Sequence, residues 1–144
     1  LDGLLRDSGV ARPRIAVCAL NPHAGEGGRF GDEEERVIAP AVRAARDAGV
    51  DANGPFPSDT VFLRGFDGAV DGIVTMYHDQ GQIALKTRAF AGAVTLEAGL
   101  DHPICTPAHG TAFDIVGTGL ARLDSTRNAY RLLRRMADAR VGGR

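Results

Sequence analysis

The sequence predicts an α/β fold built on a largely parallel sheet. Three observations carry that reading. Short apolar runs rich in strand formers occur at 14–20 and 71–77. Between and after them, apolar residues recur at helical spacing. Glycines cluster at specific turns instead of spreading along a linker. Strands that alternate with helices are the pattern of such a fold.

Each element follows from local chemistry. Residues 1–10 read as the end of a helix stopped near Gly9, and a start without Met suggests a piece of something longer. The run 14–20 lies between Pro13 and Asn21-Pro22 and reads as a buried strand. Asp32 opens a helix, with Glu35 placed as a capping box requires. Ile38, Ala41, Val42 and Ala45 form its apolar face, and Gly49 ends it. Pro40 lacks an N–H and clashes with the preceding turn, so a kink or a second start is expected there. Residues 53–62 read as loop, with a short element over 60–63. Residues 71–77 form another strand, 82–90 a short helix, 92–100 a strand, and 103–107 an extended stretch. Residues 110–119 are a glycine-bounded turn or short helix. The last helix starts at Asp124 or Ser125 and turns Ala129, Leu132, Leu133, Met136 and Ala137 inward, with Arg131, Arg134 and Arg135 outside.

Composition narrows the function. The 144 residues form a single α/β region, 1–144, with 44% hydrophobic content, enough for a core. A net charge of -1 gives no footprint for nucleic acid or an anionic membrane. The arginines of the last helix have no interleaved aromatics and read as a solvated face. Cys18 and Cys105 lie in apolar runs without a CxxC motif, so both read as buried thiols in a reducing cytoplasm. No apolar run approaches the roughly 20 residues that span a bilayer, and no signal peptide is visible. A cytoplasmic location and no membrane partner are expected.

In folds of this class ligands gather at the carboxyl ends of strands. His23 and His78 each follow an expected strand. In "YHDQGQIALK", His78 offers a neutral imidazole to a divalent metal, and Asp79 could orient it or a bound water. Lys86 could meet an anionic group or relay a proton. The competing reading is a polar loop. In "NPHAGEGG", His23 is a second candidate ligand and Glu26 its hydrogen-bond partner, although the stretch also reads as a plain glycine turn. Its spacing fits neither a P-loop nor a dinucleotide fingerprint. In "TPAHGTAFDIVGTG", His109, Gly110, Thr111, Ala112 and Asp114 suit a loop folded around a nucleotide, or a capped helix start. His102, after Asp101 and before Pro103, reads as a turn residue.

Together, "LNPHAGEGG" with its following "EE", "MYHDQG" leading to Lys86, and "HGTAFDIVGTG" resemble the 4-hydroxythreonine-4-phosphate dehydrogenase family of vitamin B6 biosynthesis. The resemblance extends from about Ile15 onward. It implies a three-layer α/β/α fold like that of the isocitrate and isopropylmalate dehydrogenases, of which this chain is the C-terminal portion. It implies NAD-dependent oxidation of a phosphorylated hydroxy acid, with decarboxylation. The cofactors would be NAD and a divalent metal: zinc first, with cobalt, nickel, iron or magnesium as alternatives. His23 and His78 match two of three metal histidines, and the third lies upstream. Lys86 matches a substrate-binding lysine, and Asp79 is a candidate for proton relay. The stretch from His109 resembles the "HGSAPDIAGKG" type of loop that holds the adenosine part of NAD. The implied assembly is a homodimer with its active site at the interface.

Two positions depart from the vitamin B6 enzymes. Thr95 replaces a substrate-binding Asn, and Ile104 replaces a substrate-binding Arg. Ile104 cannot make the bidentate contact of a guanidinium to phosphate or carboxylate. "PICTPAHGTA" looks more like a sister branch that acts on phosphorylated threonate or erythronate. Two other readings compete: a non-catalytic nucleotide- or metal-binding derivative, and a metal-assisted hydrolase using His23, His78 and Asp79.

Overall fold

Strand β1 (Arg14–Cys18) is the middle of a three-stranded parallel sheet. Its neighbours are β2 (Asp51–Phe56) and β3 (Gly72–Val74), in the order β2-β1-β3. The structure is a computed structural model that describes residues 1–100 and 102–142; Asp101, part of the turn read around His102, lies outside them. A strand flanked on both sides needs apolar residues on both faces. Accordingly, Ile15, Ala16 and Cys18 are buried. Ala16 and Cys18 pack with Val61, Phe56 and Ile73. Val17 faces a second cluster around Ile38, Val42 and Ala52. The α/β class and the parallel sheet read from the sequence are therefore present.

Strand β2 corrects the expectation of a loop over 53–62. Gly54 and Pro55 lie inside it, and such residues normally signal a turn. Here the strand is outermost in the sheet, where a missing N–H is tolerated. The register slips at this point: Ala16 pairs with Asn53, but Cys18 pairs with Phe56. Gly54 is required by the close approach, because a Cβ would fall 2.5 Å from the Val17 carbonyl oxygen.

The expected capping box at Asp32 does not form. Asp32 instead pairs with Arg36 at 3.1 Å, and its backbone carbonyl accepts from the N–H groups of Glu35 and Arg36. A widened π turn, Glu34–Ile38, leads into α2 (Ala39–Asp47). Pro40 stands in the first positions of α2, where its missing N–H is harmless. An α-helix thus begins beside Pro40, as a change from π to α winding in backbone that stays helical through Ile38 and Ala39. Ile38 and Val42 are buried as expected, whereas Ala41 is exposed.

A first helix, α1, spans Asp2–Asp7, and α3 spans Val61–Phe66. Helix α4 (His78–Ala89) begins four residues earlier than the sequence suggests, so His78 opens a helix, and the strand expected over 71–77 is confined to 72–74. The chain divides into two compact units, Leu1–Gln82 and Ile83–Arg144. In the second, β4 (Val94–Glu97) pairs antiparallel with β5 (Ile104–Pro107). Helix α5 (Asp124–Gly142) is tied to the start of that sheet by side chains. Ser125 Oγ donates to the Ala91 carbonyl at 3.0 Å, and Asn128 Nδ2 to the Gly92 carbonyl at 2.9 Å. Ala129 and Met136 are buried and Leu132 and Leu133 half-buried; Ala137, assigned to the same face, is exposed. Among the described residues no helix is long and apolar enough to cross a membrane.

Candidate active site

The chain leaves β1 through Asn21 and enters a turn of unusual backbone. His23, Ala24, Gly25, Glu26, Gly27 and Gly28 all have positive φ, from 44° at Glu26 to 89° at Gly28. Three of these six carry a Cβ, for which this region is disfavoured. A run like this persists only where its surroundings over-determine it, and it marks candidate functional sites.

The bracing comes from Glu34. This carboxylate is 4% exposed, yet it meets no uncompensated environment. Its Oε1 accepts from the backbone N–H groups of Leu20 at 2.8 Å and Asn21 at 2.7 Å. Its Oε2 accepts from Asn21 Nδ2 at 2.9 Å, and the same nitrogen donates to Glu33 Oε2 at 2.6 Å. Burial opposes the charge, but these N–H donors hold the Glu34 carboxyl below its ordinary range.

His23 itself is exposed, and its Nδ1 lies 2.8 Å from Glu26 Oε1. A carboxylate only accepts, so Nδ1 is the donor in this bond, and in a neutral ring Nε2 is then the nitrogen with the lone pair. An imidazole oriented in this way is the form that ligates a divalent metal. Phe30 stacks edge-on against the ring, with centroids 5.9 Å apart. The hydrogen bond expected from Glu26 is therefore present.

His78 follows β3, the neighbour of β1, so both histidines belong to the carboxyl edge of one parallel sheet. Gln80 fixes this corner. Its Nε2 donates to the Ala19 carbonyl at 2.9 Å and to Ser58 Oγ at 2.8 Å, while its Oε1 accepts from the Met76 N–H at 2.8 Å. One amide thus joins the ends of β1 and β3 and the segment after β2 to the first turn of α4. Ser58 also donates to the Ala19 carbonyl at 2.8 Å. Burial pushes the nearby Cys18 thiol up, against a hydrogen bond with Ser58 that lowers it. Asp79 is exposed in the first turn of α4, where an acid is favoured by the helix dipole in any case. Among the described residues, no three His, Cys, Asp or Glu side chains gather as a ready ligand set.

In the second unit, Lys86 is exposed on α4. Thr95 pairs with Thr106, and Glu97 with Ile104. All four are exposed, so they share the open face of the two-stranded sheet. The two positions that depart from the resemblance are thus diagonal neighbours. The loop from His109 is also open. His109 Nδ1 lies 2.8 Å from the Gly110 carbonyl, and Thr118 Oγ1 donates to the Ile115 carbonyl at 2.7 Å. Thr111 and Asp114 are exposed, and Ala112 has a φ of 49° before a single 3-10 turn, Phe113–Ile115. Exposed donors and acceptors with space beside Gly110 suit a nucleotide.

Sequence reasoning gave no role to Gln80, Ser58 or Thr106, and Glu34 entered it only within the "EE" of the resemblance. Glu34 carries no periodic signal, and Gln80 reads as one more polar residue of a loop. Burial and hydrogen bonding distinguish Glu34, Gln80 and Ser58, whereas exposed Thr106 is distinguished only by its pairing with Thr95.

The family profile described as "Pyridoxal phosphate biosynthetic protein PdxA" matches residues 1–133. The chain is 51% identical over 125 residues to the 4-hydroxythreonine-4-phosphate dehydrogenase of Beijerinckia indica, covering 87% of this chain and 37% of that one. It is 48% identical over 136 residues to the D-threonate 4-phosphate dehydrogenase of Salmonella typhimurium, covering 94% and 42%. The crystal structure of the 4-hydroxythreonine-4-phosphate dehydrogenase of Klebsiella pneumoniae is similar with a TM-score of 0.79 at 50% identity, over 94% of this chain and 42% of that one. The chain spans about two fifths of the length of these relatives.

Proposed function

Because the chain belongs to the PdxA family of pyridoxal phosphate biosynthetic proteins, we propose that it supplies the C-terminal portion of an NAD- and divalent-metal-dependent dehydrogenase acting on a 4-phosphorylated hydroxy acid. The complete fold is the three-layer α/β/α arrangement of isocitrate and isopropylmalate dehydrogenases. The working enzyme is a cytoplasmic homodimer whose active site lies at the interface. The observation that supports this most is His23, oriented by Glu26 at 2.8 Å on the same sheet edge that carries His78.

His23 and His78 would hold the metal through imidazole nitrogens, with further ligands from outside this chain. A divalent cation held there would supply Lewis-acid stabilisation of charge on the substrate oxygen, and NAD would supply the hydride acceptor. Glu26 fixes the ring and tautomer of His23. Asp79 moves a proton, and Lys86 binds an anionic substrate group. His109, Gly110, Thr111, Ala112 and Asp114 bind NAD through backbone donors, the hydroxyl and the carboxylate.

Ile104 and Thr95 favour phosphorylated threonate or erythronate over 4-hydroxythreonine 4-phosphate. The resemblance to the Salmonella typhimurium D-threonate 4-phosphate dehydrogenase supports that choice. The test uses the full-length protein, the three phosphorylated acids and NADH absorbance. Turnover is expected with the sugar acids, with a loss of at least about a hundredfold in His78→Ala. Wild-type turnover in that variant would overturn the metal assignment. A preference for 4-hydroxythreonine 4-phosphate would overturn the substrate assignment alone.

A further inference from the structure

Glu34 is a buried carboxylate that no step above uses. Its partners are N–H groups rather than a cation, and all belong to the exit from β1. Two of them, Leu20 and Asn21, set the direction of the chain just before His23. Gly25, two residues beyond His23, rests against the same group. A Cβ on Gly25 would lie 2.8 Å from Glu34 Oε2 and 3.1 Å from the Gly31 carbonyl oxygen. Both ends of the turn that carries His23 are therefore referenced to one side chain. Between them, His23 and Ala24 keep left-handed backbone, at φ 53° and 55°. Without an external brace such residues relax toward ordinary conformations, and the imidazole would be re-aimed.

We propose that Glu34 is the positioning residue of the metal site: it clamps Leu20, Asn21 and Gly25 so that the strained turn aims His23 at the cation. It touches neither substrate nor metal and acts through the backbone. The proposal rests on the reading of His23 as a ligand. A purely structural Glu34 would alter unfolding but leave the metal affinity of folded protein unchanged.

The experiment measures cobalt(II) affinity by chelator competition, with its visible absorption spectrum, on the full-length protein. Wild type is compared with His23→Ala, Glu34→Gln and Asn21→Ala, with circular dichroism of the metal-free proteins as the control for folding. Gln at position 34 keeps an acceptor for the backbone N–H groups but sets one donor against Asn21 Nδ2 or Leu20 N–H. Cobalt binding is expected to weaken about 10- to 100-fold in folded Glu34→Gln, with an altered spectrum. Affinity within twofold of wild type, with the wild-type spectrum, overturns the proposal. If Glu34→Gln does not fold, Asn21→Ala decides. It removes the side-chain half of the clamp and is expected to weaken binding several-fold, and unchanged affinity again overturns the proposal. His23→Ala separates the two ideas. If it binds cobalt as wild type does, the ligand reading fails and the positioning role falls with it. If it loses cobalt while Glu34→Gln does not, only the positioning role fails.

Discussion

Two glycine-rich loops carry a histidine each, and they are built in opposite ways. The turn at 21–28 is held by Glu34, a side chain 13 residues from Asn21 in sequence, and Gly25 has no space for a Cβ. Among the described residues, the loop at 109–119 has hydrogen bonds within itself and to the adjoining Leu120. Ala112 accepts from Ile115, Phe113 from Val116, and Ile115 from Thr118. A Cβ on Gly110, Gly117 or Gly119 would meet nothing within 4 Å. The first loop is organised without any ligand, as the proposed metal site would need for its imidazole geometry to be kept. The second is exposed, and under the proposed function its donors would be gathered by the nucleotide. Glycine content is the same kind of signal in both, but in one it permits packing and in the other it permits movement.

The contrast breaks most sharply by adding one methyl group to each loop. Gly25→Ala must accept a left-handed φ of 82° and also displace Glu34 or Gly31. Strain and overpacking together should cost about 2–4 kcal/mol. Gly117→Ala has a similar φ of 75° but open space, so only the backbone strain of about 1–2 kcal/mol applies. Denaturant unfolding of both variants in the full-length protein measures the difference. Equal losses would show that the first loop is no better braced than the second.

Much of this difference was hidden in the sequence for a physical reason. The strands expected over 14–20 and 71–77 were legible, as the shorter Arg14–Cys18 and Gly72–Val74, because strands covered on both faces carry runs of apolar residues. The break at Pro40 was legible because a missing N–H acts locally. Strand β2 was not, since its Gly and Pro are tolerated by an outer position in the sheet that only the tertiary pairing defines. The two metal candidates could be placed at strand ends, but Glu34 could not. A buried carboxylate looks like any surface glutamate until the fold supplies its N–H donors. The same holds for Gln80, whose three bonds run to residues 4, 22 and 61 positions away. At Asp32 the Glu35 N–H is taken by the backbone carbonyl and the carboxylate pairs with Arg36, so no side-chain cap forms.

Acid sharpens the comparison next. Arg14 binds Asp71 through its backbone N–H, Nε and Nη2, each at 2.9 Å, and ties the start of β1 to the approach to β3. These bonds draw the Asp71 carboxyl from 3.8 down to about 2. A carboxyl lowered in the folded state stabilises it fully above the unfolded value, and that contribution fades as pH falls through the folded value. Glu34 shifts in the same direction. The sheet that carries β1 should therefore lose stability as pH falls from about 4 to about 2. Asp71→Asn should remove part of that dependence. Unfolding midpoints between pH 2 and pH 5 in the two proteins test this, and parallel pH profiles would remove Asp71 from the account.

The smallest effect on stability is expected at Phe113, which is 80% exposed at the start of the 3-10 turn in the second loop. A side chain that exposed has little burial to lose, so Phe113→Ser should change unfolding by less than about 0.5 kcal/mol. An aromatic ring beside Thr111 and Asp114 can still stack on a flat ligand or shield one from water. NAD affinity, measured by titration of the full-length protein, should therefore fall several-fold while the unfolding midpoint stays in place. That outcome would separate the two loops by kind: one whose residues are held by the fold, and one whose residues are held by what binds. A lowered midpoint with unchanged NAD affinity would reverse the assignment and make Phe113 a packing residue.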